Sequence, residues 1–188
     1  MNVYRFAEKM RSFLISRSFQ SYRLWQIRLA ILMGSLLELG VVPVILVFLG
    51  KRIDAALGFR SVLPSPIIPW ATTTCFLLGI PWLGSSILWQ HRYGKGTPLP
   101  LVPTKVLLTT GPYRCTRNPM LFGAVFWLSG WAMLANSPSA LFGAIGVFPG
   151  IVISYVKLIE EQELEQRFGD AYREYRRQTP FLIPRVRF

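Results

Sequence analysis

Long apolar runs alternate with short basic stretches along this chain. The first clear run is Leu29 to Gly50, bounded by Arg28 before it and Lys51-Arg52 after it. Its twenty-two residues, at about 1.5 Å each, reach about 33 Å, enough to cross a hydrocarbon core. The second run, Ile67 to Trp89, contains Pro69 and Pro81, which predict kinks, and carries Trp70 and Trp89 near its ends, where indoles favour the membrane interface. Two shorter runs, Pro119 to Ala135 and Ala140 to Val156, are separated by the turn signal Asn136-Ser137-Pro138-Ser139 and predict a helical hairpin. Gly123, Gly130, Gly143, Gly146 and Gly150 line these two runs and let helix backbones approach closely. The terminal segments have a different periodicity. Val3, Phe6, Ala7, Met10, Phe13 and Leu14 fall on one helical face, with Arg5, Lys9 and Arg11 mostly elsewhere, which predicts a basic amphipathic helix on the membrane surface; an organellar transit peptide is the alternative. From Lys157 onward, Leu164, Phe168, Tyr172 and Tyr175 mark one face of an amphipathic helix, interrupted by Gly169 and ended by Pro180 and Pro184.

The pattern predicts an all-α integral membrane protein with about four transmembrane helices, a C-terminal helical hairpin and a cytoplasmic amphipathic C-terminal helix. Its parts are a surface segment over 1–28, a first span with a non-cytoplasmic loop over 29–66, and a membrane core over 67–188. Composition agrees: of 188 residues, 52% are hydrophobic and only 16% charged, against about 25% charged in soluble domains. The net charge of +12 raises the question of nucleic acid. The apolar runs answer it in favour of a lipid bilayer, because cations flanking spans are what anionic headgroups attract. Lys and Arg number six before the first span, three after it, five between the second and third, none in the hairpin turn and seven from Lys157 on. With alternating sides, eighteen fall on one face and three on the other, which places both termini in the cytoplasm. Cys75 and Cys115 form no motif and are expected as free thiols.

The usual catalytic constellations are missing. No Ser-His-Asp pattern is seen around the lone His91, no helical His pair or paired Cys motif offers metal ligands, and no Walker-type glycine loop is present. Two places carry candidate chemistry. One is the entry to the third run, where Arg117, Asn118 and Pro119 open a helix whose first N–H groups, with the Arg and Asn donors, suit a carboxylate or the hydroxyls of a nucleoside; interfacial snorkelling of Arg114 and Arg117 is the alternative. The other is Glu160-Glu161, two adjacent carboxylates where the last span ends, which call for a cation such as Lys157, a loop arginine or a cationic ligand. Glu38 is a third candidate, a carboxylate within a span.

Three motifs in order then become recognisable: Gly94-x-Gly96-Thr97-Pro98-x-Pro100; Gly111-Pro112-Tyr113-Arg114-x-x-Arg117-Asn118-Pro119-Met120; and Glu160-Glu161-x-x-Leu164-x-x-x-Phe168-Gly169-x-x-Tyr172-x-x-Tyr175. Over about residues 67–185 the chain resembles the isoprenylcysteine carboxyl methyltransferase family and, more loosely, the related phospholipid methyltransferases. The resemblance implies an integral membrane enzyme using S-adenosylmethionine. By position, Lys105, Val106, Leu107, Leu108, Tyr113, Asn118, Pro119, Met120 and Leu121 would line the cofactor site, with Arg117 among its donors. Glu160 or Glu161 would contact the cofactor, and Lys157 lies near the place of a basic residue that holds the substrate. Asn118 stands where the family often has histidine, Leu121 where a tyrosine is frequent, and Thr179-Pro180-Phe181 replaces a common Val-Pro-Arg. A sulfonium methyl needs no acid to activate it, so the protein's task is proximity, orientation and exclusion of water. The implied acceptor is amphiphilic or lipid-like (a carboxylate such as isoprenylcysteine, an amine or a thiol) and enters from the bilayer. The alternatives are a sterol-reductase-like membrane oxidoreductase using NADPH and a non-enzymatic membrane protein that keeps the fold.

Overall fold

The computed structural model describes residues 3–20, 22–94 and 103–185. Gly96, Thr97, Pro98 and Pro100 of the first motif lie outside the described residues. Among the described residues all regular structure is helical. The helices are α1 (Val3–Ser18), α2 (Trp25–Leu57), α3 (Ile68–Gly94), the single turn α4 (Pro112–Cys115), α5 (Pro119–Leu134), α6 (Pro138–Phe168) and α7 (Asp170–Gln178). Helices α2, α3 and α6 are long and apolar enough to cross a membrane; α5 is apolar but shorter. Large apolar side chains stand exposed along them, including Leu32, Val44, Phe48, Leu77, Leu88 and Ile151. A water-facing surface does not carry such a density of exposed aliphatic groups, and lipid satisfies it.

Two π-helical stretches follow from proline. Leu37–Val41 in α2 is followed by Pro43, and Gly143–Val147 in α6 by Pro149. A proline ring collides with the carbonyl four residues earlier, and widening the preceding turn relieves that collision while keeping the helix continuous. Pro69 does not kink α3 as the sequence predicts, because it sits in the first turn, where its missing N–H has no intrahelical partner to lose. Pro81 does lie inside α3.

The chain falls into two units. One comprises 35–84 and 120–151. Here the glycines bring backbones into contact: a Cβ on Gly79 would lie 2.7 Å from the backbone nitrogen of Trp127, and one on Gly123 would lie 2.7 Å from that of Leu83. Gly130 lies under the ring of Phe76, which packs against Trp127 and Trp131 at centroid distances of 5.1 and 5.8 Å. The small residues expected to line the hairpin therefore serve α3 in these two cases, and Gly143 faces Leu46 of α2. A polar lock closes the unit. Buried Asp54 accepts from the Ser137 hydroxyl and, at 2.9 Å, from the Ser139 N–H at the start of α6. Asn136, at φ 48°, accepts from the N–H groups of Val62 and Leu63 at 2.8 and 3.1 Å and donates to the Leu63 carbonyl.

The other unit comprises 1–34, 85–119 and 152–188. In it α1 lays Ala7 and Leu14 against Ile159 of α6, flanked by Met10 and Tyr155. The predicted single apolar face of α1 is divided. Ala7, Met10 and Leu14 pack, whereas Phe6 and Phe13 are exposed, because a narrow helix-to-helix seam holds less than the full apolar arc. The side chain of Val3 lies outside the described residues.

Replacing Asp54 with alanine strands two donors, the buried Ser137 Oγ–H and the half-buried Ser139 N–H. The expected cost is about 1–3 kcal/mol, read as a lower midpoint for unfolding in detergent. Asp54→Asn, which can still accept one bond, is expected to fall between.

Candidate functional site

A cleft opens in the unit formed by 1–34, 85–119 and 152–188. Its floor and walls come from Gln90, the loop residues Thr104, Leu107 and Leu108, then Tyr113, Arg117 and Asn118. Val156, Glu160, Glu161 and Leu164 of α6 and Tyr172 and Tyr175 of α7 complete it. Counted out to its open mouth, the empty space is about 510 Å³.

Local sequence explains how these groups converge. Gly111, at φ 60°, turns the loop in a conformation that disfavours a side chain, and the Trp89 indole occupies the space a Cβ would need. The same indole N–H donates to the Thr110 hydroxyl at 3.2 Å. Arg167 fixes the other end of the loop by donating to the Thr104 carbonyl, and it pairs with Glu163 at 2.6 Å. Two π-helical stretches supply cleft residues. Gln90 lies in Gln90–Gly94, and Val156 and Glu160 lie in Val156–Glu160. Neither stretch has a proline two residues beyond its end, as the other two have in Pro43 and Pro149, so the relief of a ring clash does not account for them. Such local widening re-aims side chains and recurs at functional sites.

Arg117 is the organising cation. Its guanidinium pairs with Glu161, donates through Nε to the Thr179 carbonyl at 3.1 Å and through Nη1 to the Tyr172 hydroxyl at 3.4 Å. Its backbone N–H donates to the Pro180 carbonyl at 2.9 Å. Asn118 Nδ2 and Thr116 Oγ1 both donate to the Phe181 carbonyl, at 2.9 and 3.1 Å, and Arg185 N–H donates to the Cys115 carbonyl at 2.8 Å. The segment after α7 is thereby stitched to the residues before α5. Lys157 meets the other oxygen of Glu161 at 2.9 Å and lies over the Phe181 ring at 4.1 Å, with the Arg117 guanidinium at 5.4 Å from the same ring. Glu161 thus bridges two cations. Glu160 lines the cleft without an ion pair among the described residues.

Burial pushes the Tyr172 phenol up to about 12, with the Glu161 charge adding to the shift, and burial raises Tyr175 as well. Both therefore keep their protons at neutral pH. Tyr175 uses its proton to donate to the Tyr113 carbonyl at 2.7 Å, which ties α7 to α4.

Of the residues singled out from sequence, Leu107, Leu108, Tyr113, Arg117, Asn118, Glu160 and Glu161 line the cleft. Lys105 and Val106 point outward and are exposed. Pro119 is buried at the start of α5, and Met120 and Leu121 belong to the unit of 35–84 and 120–151. Lys157 reaches the site through Glu161 rather than through the cleft wall. Glu160 and Glu161 do not end a helix, as the sequence predicts, because α6 continues to Phe168. Sequence reasoning missed Gln90, Thr104 and Val156 as site residues. It found Leu164, Tyr172 and Tyr175 as a helix face and within the third motif but not as site residues, and that shared face is the signal that aims them at one cleft. Cys75 and Cys115 are free thiols.

Among the described residues, helices long and apolar enough to cross a membrane accompany a cleft lined in part by carboxylates, and comparison with known proteins identifies the class. Residues 70–171 match the phospholipid methyltransferase family, and the chain belongs to that family of membrane methyltransferases. Among individual relatives, methanethiol S-methyltransferase 2 of Bradyrhizobium diazoefficiens is 28% identical over 140 residues, covering 66% of this chain and 52% of that protein. Methanethiol S-methyltransferase 1 of the same organism is 28% identical over 115 residues, covering 60% of this chain and 36% of that protein. The chain spans about half the length of the first of these relatives and less of the second.

Removing Arg117 leaves Glu161, whose side chain is 9% exposed, with Lys157 as its remaining cation. Arg117→Met is expected to destabilise by about 3–5 kcal/mol. It should also release the segment after α7, read as faster proteolysis near Phe181. Arg117→Lys keeps the charge but not the fork, and should retain only part of the stability.

Proposed function

We propose that this protein is an integral membrane S-adenosylmethionine-dependent methyltransferase acting on an amphiphilic or lipid-like acceptor. The observation that carries the reading is the cleft carboxylate of Glu160, which has no ion pair among the described residues, in a chain of a membrane methyltransferase family. A carboxylate without a protein cation suits the cofactor's positive charge. Tyr113, Asn118 and Gln90 offer polar atoms for the nucleoside, and Leu107, Leu108, Val156 and Leu164 give an apolar wall. The donor set therefore fits the cofactor. When bound, the cofactor supplies an electrophilic methyl group. The chain's own residues bind and orient: Glu160 holds positive charge, Arg117 and Glu161 fix the wall, and the two protonated tyrosines keep α7 closed over it.

The acceptor is a carboxylate such as isoprenylcysteine, an amine or a thiol, supplied from the bilayer. The names of the two relatives support a thiol among these. The match to a methyltransferase family supports methyl transfer over an NADPH oxidoreductase or a non-enzymatic role. We further propose that α5 crosses the membrane with α2, α3 and α6. Its sixteen residues reach about 24 Å, short of a full hydrocarbon core, so it would need local thinning or polar neighbours. Both termini and the cleft then lie on the cytoplasmic side. The parts are the surface segment 1–28, the first span and loop 29–66, and the methyltransferase core 67–188.

In calorimetry, purified protein in detergent is expected to bind S-adenosylmethionine, and Glu160→Gln to weaken that binding about tenfold, the equivalent of about 1.4 kcal/mol. Absence of binding by the parent protein removes the cofactor assignment. Unchanged affinity in the variant removes Glu160 from the site.

A further inference from the structure

Helix α1 has two faces that do different work. One is packed: Ala7 and Leu14 meet Ile159, Met10 and Tyr155 flank them, and the Arg11 guanidinium donates to the Gln162 side chain. These partners belong to the turns of α6 that carry Glu160 and Glu161. The second face is open. Phe6 and Phe13, seven residues apart and thus aligned on the helix, are 46% and 41% exposed. Around them stand Arg5 and Lys9, both exposed, and Arg17, whose guanidinium lies 5.0 Å from the Phe13 ring centre. None of Arg5, Lys9 and Arg17 takes part in an ion pair among the described residues. The helix's one acid, Glu8, lies on the opposite side from Phe6, two positions on. Aromatic groups ringed by unpaired cations match an anionic lipid surface, with rings at the acyl boundary and charges among headgroups. The chain also holds the helix there. From Ser18 to the start of α2 at Trp25 is at most about 25 Å of extended chain, so α1 cannot leave the membrane that α2 enters.

We propose that α1 is an anionic-lipid docking helix that braces the turns of α6 bearing the cleft carboxylates. Lipid on its open face presses its packed face onto Tyr155, Ile159 and Gln162, and so steadies Glu160 and Glu161. The docking stands on α1 alone; the effect on ligand affinity also rests on the cofactor reading above.

The test reconstitutes the full chain in nanodiscs of phosphatidylcholine alone or phosphatidylcholine with phosphatidylglycerol at about three to one, and follows amide exchange of residues 3–18. The expected result is at least a fivefold slowing of exchange with phosphatidylglycerol, reversed by high salt. The slowing should be lost in a variant combining Arg5→Gln, Lys9→Gln and Arg17→Gln, and reduced in Phe6→Ser with Phe13→Ser. Equal exchange in both lipids overturns the proposal, as does a difference that survives the charge variant. Because the charge variant alters no packed residue, exchange of 156–164 in phosphatidylcholine reports whether it remains folded. Affinity for S-adenosylmethionine is then measured in the same discs. A severalfold gain with phosphatidylglycerol in the parent, absent from the charge variant, supports the brace. Lipid-dependent exchange with lipid-independent affinity overturns the brace and leaves docking. No cofactor binding in any disc overturns the cofactor reading and leaves the exchange result standing.

Discussion

The buried pairing of Arg117 with Glu161 is the interaction on which the site depends. Taking two charges out of water is costly, and the pair is supported by further partners of the guanidinium nearby. The Thr179 carbonyl, the Tyr172 hydroxyl and the Phe181 ring surround it, and Lys157 takes the second oxygen of Glu161. One ion pair thus joins the residues before α5, a turn of α6 and the segment after α7. These three pieces are remote in sequence, and the first two, with Tyr172 and Tyr175 of α7, form most of the cleft wall. Pairing Glu161 internally also leaves Glu160 as the cleft carboxylate without an ion pair among the described residues, so the structural pair defines the chemistry of its neighbour.

Much of the architecture is legible in the sequence because lipid imposes a simple rule. Every apolar stretch long enough to cross must be helical, and α2, α3 and α6 follow from length and hydropathy. The shortness of α5 is equally readable. What hydropathy cannot report is polar pairing between distant positions. Asp54 follows the first apolar run and belongs to no motif in the sequence, yet it is buried and holds the start of α6 through Ser137 and Ser139. Asn136 reads as a turn residue, and its side chain also closes the loop at Val62 and Leu63. The kink expected at Pro69 fails because a proline's effect depends on its place within the helix, and α3 begins at Ile68, which leaves Pro69 in its first turn.

The site was half legible for a related reason. Tyr113, Asn118 and the paired glutamates could be found because ordered motifs carry them, and Leu107 and Leu108 because the family resemblance places them by position. Gln90 and Val156 could not, because they reach the cleft through π-helical stretches that shift side chains off the regular 3.6-residue period. Tyr172 and Tyr175 stood in plain view as an apolar stripe. A stripe says that a face is covered and not by what. Here it covers a cleft, with one hydroxyl receiving from Arg117 and the other donating to the Tyr113 carbonyl.

The central claim is that the cofactor binds in the cleft built from 103–118, 156–164 and α7. Ultraviolet crosslinking of methyl-labelled S-adenosylmethionine to the protein in membranes, followed by peptide mapping, tests it most directly. The account predicts label in peptides containing Tyr113, Glu160 or Tyr172, competed away by unlabelled cofactor. Competed label confined to 35–84 or 120–151 would contradict it.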